Sequence, residues 1–331
     1  MTQPSLARDL EGILGDPDPG ARQLALTQIE DLSDPEIIHP LIAAVRDEDP
    51  TVRALALGHL EDLGDARAVP AVVGALDDED ARVREAAATA LREIRGADAA
   101  THLIDALGHA SPFVRTSVIV ALREIRDPRA LAPLEGALGD PDPEVRREAV
   151  LSLAYLRRPE SAPALRPSLR DPDARVRQVA IGALESLGAR GNTALVQDLV
   201  GLLSDPDWRV RVEAAIVLGR SAHGLAAPYL RSALDDGAWQ VRKEAALALG
   251  RLRAASATED LVGLLGSDLA DLRKAAAQAL GEIEAAAAEA PLRRLLGDAD
   301  VEVRKAAGRA LEAIRTGIGR GDERHETFAR D

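Results

Sequence analysis

Apolar positions along the chain fall into alternating short and long clusters separated by acidic breaks. In one period a short cluster, ARAVPAVVGAL (66–76), meets the break DDED (77–80) and then a longer cluster, ARVREAAATALREI (81–94). Within the longer cluster Val83, Ala87, Leu91 and Ile94 lie within about 80° of one another at 100° per residue, which makes them one helical seam. The pattern predicts a short helix A, a tight turn and a longer antiparallel helix B. An arginine near the start of helix B marks each period: Arg22, Arg53, Arg84, Arg115, Arg146, Arg177, Arg211, Arg242, Arg273 and Arg304. The spacing is 31 residues at every step but one, where it is 34. Such a frame predicts an all-α chain of about ten helix-pair repeats.

Each joint between helices A and B carries a D-x-D-x-x-V-R signature. Four residues before the arginine stands an aspartate, Asp18, Asp49, Asp80, Asp142, Asp173, Asp207 or Asp300, followed in places by Pro19, Pro50 or Pro143. A carboxylate at the N-cap accepts orphan N–H groups, and proline at the first helical position leaves none unsatisfied. Glycines such as Gly64, Gly96 and Gly188 mark helix ends. The farther carboxylate, Asp16, Asp47, Asp78, Asp140, Asp171, Asp205, Asp236 or Asp298, is placed to pair with the arginine of its own or an adjacent repeat. Repeats with Ser111, Ala238 or Leu269 at the cap should be locally weaker. A carboxylate and arginine cluster could in principle serve chemistry, but reuse on one frame marks a structural device.

Composition narrows the function classes. The chain is 46% hydrophobic but only 2% aromatic, so the core must be thin and closely packed. It has no cysteine, which removes disulfides, thiolate metal sites and a cysteine nucleophile. Net charge is −14 and unevenly spread: residues 1–165 carry 17 basic and 30 acidic side chains, the rest 24 and 25. Such an acidic chain argues against nucleic-acid binding, which needs phosphate neutralisation. No apolar run reaches the length of a membrane span, and the first residues lack a basic and apolar leader. A cytoplasmic, monomeric protein with no membrane insertion is expected.

The repeat D-P-D-x-x-V-R-x-x-A-x-x-A-L-x-x-L, at a period of 31, resembles the HEAT-like repeat of the phycobilisome-lyase (PBS lyase) type over roughly residues 5–315. The resemblance implies a right-handed α-solenoid, an α-α superhelix, with the B helices lining a concave side. It also implies a range of functions, from bilin lyases and deoxyhypusine hydroxylases to scaffold proteins. The hydroxylase branch carries repeated His-Glu pairs, whereas here the only such pair is His325-Glu326, in a polar stretch expected to be a flexible tail, 316–331. His39, His59, His102, His109 and His223 show no i, i+4 pairing and read as surface or flank residues. No G-x-S-x-G, P-loop, G-x-G-x-x-G, H-E-x-x-H or EF-hand motif is present, and neither a cofactor nor a metal is expected.

Function is then sought where repeats differ. Counted from the signature arginine, positions +1, +5, +8 and +9 of helix B lie opposite the seam and vary. The stripe is polar and acidic at first (Thr27, Glu30, Asp31, Glu61, Asp62). It is apolar in the middle (Val120, Leu151, Val212, Ile216 and Leu247, with Arg147 and Tyr155) and basic toward the end (Lys243, Arg251, Lys274, Lys305, Arg309). It reads either as a groove for a partner protein's helix or loop, or as side chains covered by neighbouring helices. Trp208 and Trp239, in the same slot of consecutive repeats, read either as an aromatic pair gripping a ligand or partner, or as packing over the neighbouring turn. The three-residue insertion in LGARGNTALVQ (187–197) reads as a bend at 188–194 or as tolerated loop length. The expected function is a non-enzymatic interaction scaffold; the alternative is a bilin lyase-like or tetrapyrrole-protein maturation factor.

Overall fold

The computed structural model describes residues 6–95, 97–187 and 193–328, with side chains as far as 316 and backbone only for 97. Among the described residues every regular element is a helix, and the fold is an all-α solenoid of HEAT-like helix pairs. The ten B helices begin at Pro19, Pro50, Ala81, Pro112, Pro143, Ala174, Trp208, Trp239, Ala270 and Val301. Each starts three residues before its signature arginine. The A helices are shorter, such as Val69–Ala75, and many run out of or into a 3-10 turn. The chain divides into two compact blocks, Met1–Leu165 and Arg166–Asp331. Of the bend read at 188–194, residues 188–192 lie outside the described residues, and a helix, Thr193–Leu202, follows. The last B helix runs Val301–Phe328, so the backbone is helical where the sequence reading places a tail.

The core seam follows from helical spacing. Val83, Ala87, Leu91 and Ile94 are all buried, as are their counterparts Val52, Ala56 and Leu60. Leucine, valine and alanine fill nearly all of this core, which is what a chain with so few aromatic residues can build.

Helix starts also follow the sequence. Asp49 accepts from the N–H groups of Thr51 (2.8 Å) and Val52 (3.0 Å), and Asp142, Asp173 and Asp300 cap their helices in the same way. At Asp80 the Arg82 guanidinium and then its N–H bring the carboxyl down to about 2. Ser111, Ala238 and Leu269 make no side-chain cap. Helix ends depart from the glycine rule. Gly64 takes the left-handed conformation (φ 58°), but so do Arg126, Arg157, Ala222, Arg253 and Glu284, with φ between 49° and 59°. Residues carrying a Cβ adopt this conformation at a cost, so the stack sets the end of the helix more firmly than glycine placement does.

The farther aspartate pairs with the arginine of the preceding repeat. Arg22–Asp47, Arg53–Asp78, Arg115–Asp140, Arg177–Asp205, Arg211–Asp236 and Arg273–Asp298 close at 2.7–2.8 Å. The repeat's own arginine instead donates Nη1 to the backbone carbonyl of that aspartate, as Arg53 does to Asp47 (2.8 Å) and Arg211 to Asp205 (2.7 Å). Each aspartate also accepts the N–H two residues on, for example Asp142 N–H to Asp140 (2.9 Å). One carboxylate thus ties a turn to itself and to the repeat before it. Burial pushes the Asp140 carboxyl up, yet the Arg115 hydrogen bonds, the Asp142 N–H and the charges of Arg115 and Arg146 hold it below the ordinary range.

Candidate functional site

The variable stripe occupies two stretches, one in each block. In the 1–165 block Val120 and Leu151, both at +5, are half-buried, and Tyr155 at +9 is 44% exposed. Two arginines stand against the Tyr155 ring. The guanidinium carbons of Arg123 and Arg126 stand 5.3 and 5.1 Å from its centroid, and Arg126 Nη2 donates to the phenol oxygen at 2.8 Å. Arg123 also donates to Glu148 (2.8 Å) on the next B helix. The product is an exposed aromatic face with two cations fixed against it. Arg147 is turned along its own helix to pair with Glu144, one turn back.

In the 166–331 block Val212, Ile216 and Leu247 are half-buried, which lies between the two outcomes the sequence reading left open. The basic side chains differ among themselves. Arg251 and Arg309 are exposed, Lys305 is exposed and bonded to Glu302 (2.8 Å), Lys274 is half-buried, and Lys243 is half-buried beside Glu244 (3.3 Å). The Lys305 bond and charge, with the charges of Lys274 and Arg309, hold the Glu302 carboxyl below its usual range. Arg309 also lines a cleft of about 540 Å³ together with Arg253, Gln278, Gly281, Glu282, Glu284, Ala306, Ala310 and Ala313. Trp208 is half-buried with Arg209 over its ring at 5.0 Å, and Trp239 is 37% exposed. Each opens a B helix.

Position +8 stays exposed at Glu30, Arg92 and Glu312 but leaves the stripe late in the chain. In the seventh, eighth and ninth repeats it is Gly219, Gly250 and Gly281, all buried against the following B helix. A Cβ at Gly219 would stand 2.7 Å from both Cα and Cβ of Ala248, and one at Gly281 2.8 Å from Cα of Ala310. In the sixth repeat the same position is Glu185, which meets Arg220 at 3.0 Å.

Beside that contact the half-buried Glu213 carboxyl is held above its ordinary range. Desolvation pushes it up, Arg220 pulls it back, and the charges of Glu185 and Glu244 push it up again. A folded-state value above the unfolded value of 4.5 means that ionising Glu213 costs stability. That cost is absent below about pH 4, sets in as the pH rises past the unfolded value and is complete above the folded value. Glu213→Gln is therefore expected to raise the melting temperature at pH 7, with the gain fading on acidification; a gain independent of pH would exclude this origin.

The histidines take ordinary roles. His59 Nε2 lies 2.8 Å from the Leu26 carbonyl, His223 Nε2 is 3.4 Å from Thr193 Oγ1, and His39 stands 3.4 Å from Glu36. Among the described residues no group of three His, Cys, Asp or Glu side chains could hold a metal ion. No described helix is long and apolar enough to cross a membrane.

Solved structures with the same fold include an engineered protein, 24% identical with a TM-score of 0.53, the alignment covering 94% of this chain and 99% of that one. Escherichia coli YibA is 20% identical over 78% of this chain and 95% of its own, with a TM-score of 0.61. Kap95p, solved with RanGDP, is 15% identical over 93% of this chain and 48% of its own, with a TM-score of 0.65. No curated protein matches the sequence. The HEAT repeats family matches residues 7–92, 38–123, 75–140, 132–203, 179–236, 196–280 and 267–324, nearly the full length. With its helix pairs, capped joints and arginine frame, the chain belongs to the HEAT-repeat family.

Proposed function

We propose that the protein is a non-enzymatic scaffold that binds a partner protein along the variable face of its B helices. HEAT repeats in general serve as protein-interaction scaffolds, and the architecturally similar Kap95p binds RanGDP. The observation that carries the reading is the contrast between joints and stripe. Six joints are closed by paired charges, whereas Tyr155, Arg251, Lys305 and Arg309 differ between repeats and stay exposed. Their chemistry suits a partner segment that is acidic and carries apolar side chains. The D-x-D-x-x-V-R joint further suggests the phycobilisome-lyase subtype of repeat, which we read as a statement about packing and not about bilin chemistry.

Affinity purification of wild type beside Tyr155→Ala and the pair Lys274→Glu, Lys305→Glu tests this. A protein recovered reproducibly with wild type should be lost or reduced at least tenfold with each variant, while circular dichroism melts stay unchanged. Identical recovery with all three would remove the stripe as the binding face.

A further inference from the structure

We propose that the joint between the eighth and ninth repeats is a binding slot for a small carboxylate, with Arg242 as its cation. In six joints the arginine of one repeat holds the aspartate of the next. The ninth repeat reads SDLADLR where others read DPDxxVR, so Ser267 stands in the position of the pairing aspartate and Leu269 in that of the cap. Both carboxylates are missing from this joint.

Ser267 reproduces only one of the lost contacts: its Oγ accepts the Leu269 N–H at 3.3 Å. Leu269 offers no cap to the helix Ala270–Ile283. The half-buried Arg242 side chain makes no hydrogen bond or ion pair among the described residues; its Nε is buried without an acceptor, as those of Arg22 and Arg53 are, and its charge only helps to hold the Asp236 carboxyl low. The aspartate of its own repeat, Asp236, is already taken by Arg211 at 2.7 and 2.8 Å. The fourth repeat, which also lacks both aspartates, solves the problem differently. There His109 Nδ1 accepts the Ser111 N–H (3.1 Å), and Arg84 of the preceding repeat keeps its bonds to the carbonyls of Asp78 (2.7 Å) and Glu79 (3.0 Å). Among the described residues Arg242 lacks even these own-turn carbonyl bonds, which Arg53 and Arg211 also make.

The other joints show what the slot accepts. Arg115 donates Nε and Nη2 to the two oxygens of Asp140, each at 2.7 Å, and Arg273 does the same to Asp298 at 2.8 Å. A planar, two-oxygen anion matches that edge of a guanidinium. Serine carries a hydroxyl where aspartate carries a carboxylate, so this joint lacks the planar anion that the other arginines hold, and formate is the smallest carboxylate that supplies one. Asp268 and Asp271 stand close in the chain and oppose an anion, and a ligand of three heavy atoms binds no tighter than about 1 mM.

Thermal melts of the full chain in sodium formate, against sodium chloride of equal ionic strength, test the slot. Formate at 100 mM should raise the melting temperature saturably by about 2 °C over chloride. Ser267→Asp should melt higher without formate and lose the response, and Arg242→Gln should also lose it. The Arg242 Nε–H resonance should shift on formate addition in wild type only. A parallel arm with acetylglutamate amide separates two sources: a response to both ligands means the slot admits a side chain of another protein, and a response to formate alone restricts it to free carboxylates. No formate effect beyond chloride in wild type, or an undiminished effect in Ser267→Asp, overturns the proposal.

Discussion

Asp205→Ala is expected to destabilise the 166–331 block by about 3–5 kcal/mol, the cost of leaving one member of a buried ion pair without the other. Asp205 and Arg177 are the most deeply buried pair of the arginine frame, 7% and 9% exposed. Asp205 accepts Nε and Nη2 of Arg177, both at 2.7 Å, and the Asp207 N–H at 2.9 Å. Removing it leaves two guanidinium N–H groups and the end of a capping turn without acceptors. The remaining bonds from Arg177 Nη1 to the Asp171 and Pro172 carbonyls hold the cation in place, so it cannot swing to water to recover hydration. Asp205→Asn should cost less, since the amide still accepts the Asp207 N–H and one arginine N–H. The exposed pair Arg293–Glu289 supplies the contrast: Arg293→Ala should cost less than about 1 kcal/mol. Urea unfolding with hydrogen exchange resolved by segment checks this. A loss for Asp205→Ala no larger than that for Arg293→Ala would mean that the joints do not hold the stack together.

The joints show how far sequence reasoning reaches here. Spacing, caps and the seam through Val83, Ala87, Leu91 and Ile94 were all legible, because each depends on contacts within a helix or its own turn. Which arginine takes Asp205 was not, because the choice between the own and the adjacent repeat depends on how repeats stack. Lateral packing is also why position +8, exposed at Glu30, is buried at Gly219, Gly250 and Gly281, where the outward stripe was expected to continue. Phasing from a single axis separates one buried seam from everything opposite, but a B helix touches its own A helix and the B helices on both sides. Arg123 and Arg126 were missed around Tyr155 for the same reason: they come from the preceding B helix. The left-handed ends at Arg157 and Glu284 had no signal at all in a search for glycine.

The +8 glycines give the second large effect, and its sign depends on position. Alanine is the better helix former by about 1 kcal/mol, so Gly→Ala inside an exposed helix normally stabilises. Gly58, in the middle of Pro50–Leu63, has nothing within 4 Å of the place a Cβ would take. Gly58→Ala is expected to stabilise by about 0.5–1 kcal/mol. At Gly219 the same methyl group would meet Cα and Cβ of Ala248 at 2.7 Å, distances that real Cβ atoms do not tolerate. The obstacle is backbone and not a flexible side-chain end, so the helices Trp208–Arg220 and Trp239–Arg251 must move apart. Overpacking of this kind costs about 1–3 kcal/mol or more, which exceeds the gain in propensity. Gly219→Ala should therefore destabilise by about 1–2 kcal/mol, and Gly219→Val by more, since its branched side chain adds to the clash and lowers helix propensity. At Gly250 one of the close atoms is Glu282 Oε2 (2.8 Å), which can swing away, but Cα of Ala279 at 2.7 Å cannot. Gly250→Ala should follow Gly219→Ala in sign. Thermal unfolding of the three alanine variants decides the matter: stabilisation at all three positions would show that these B helices are not held in glycine-dependent contact.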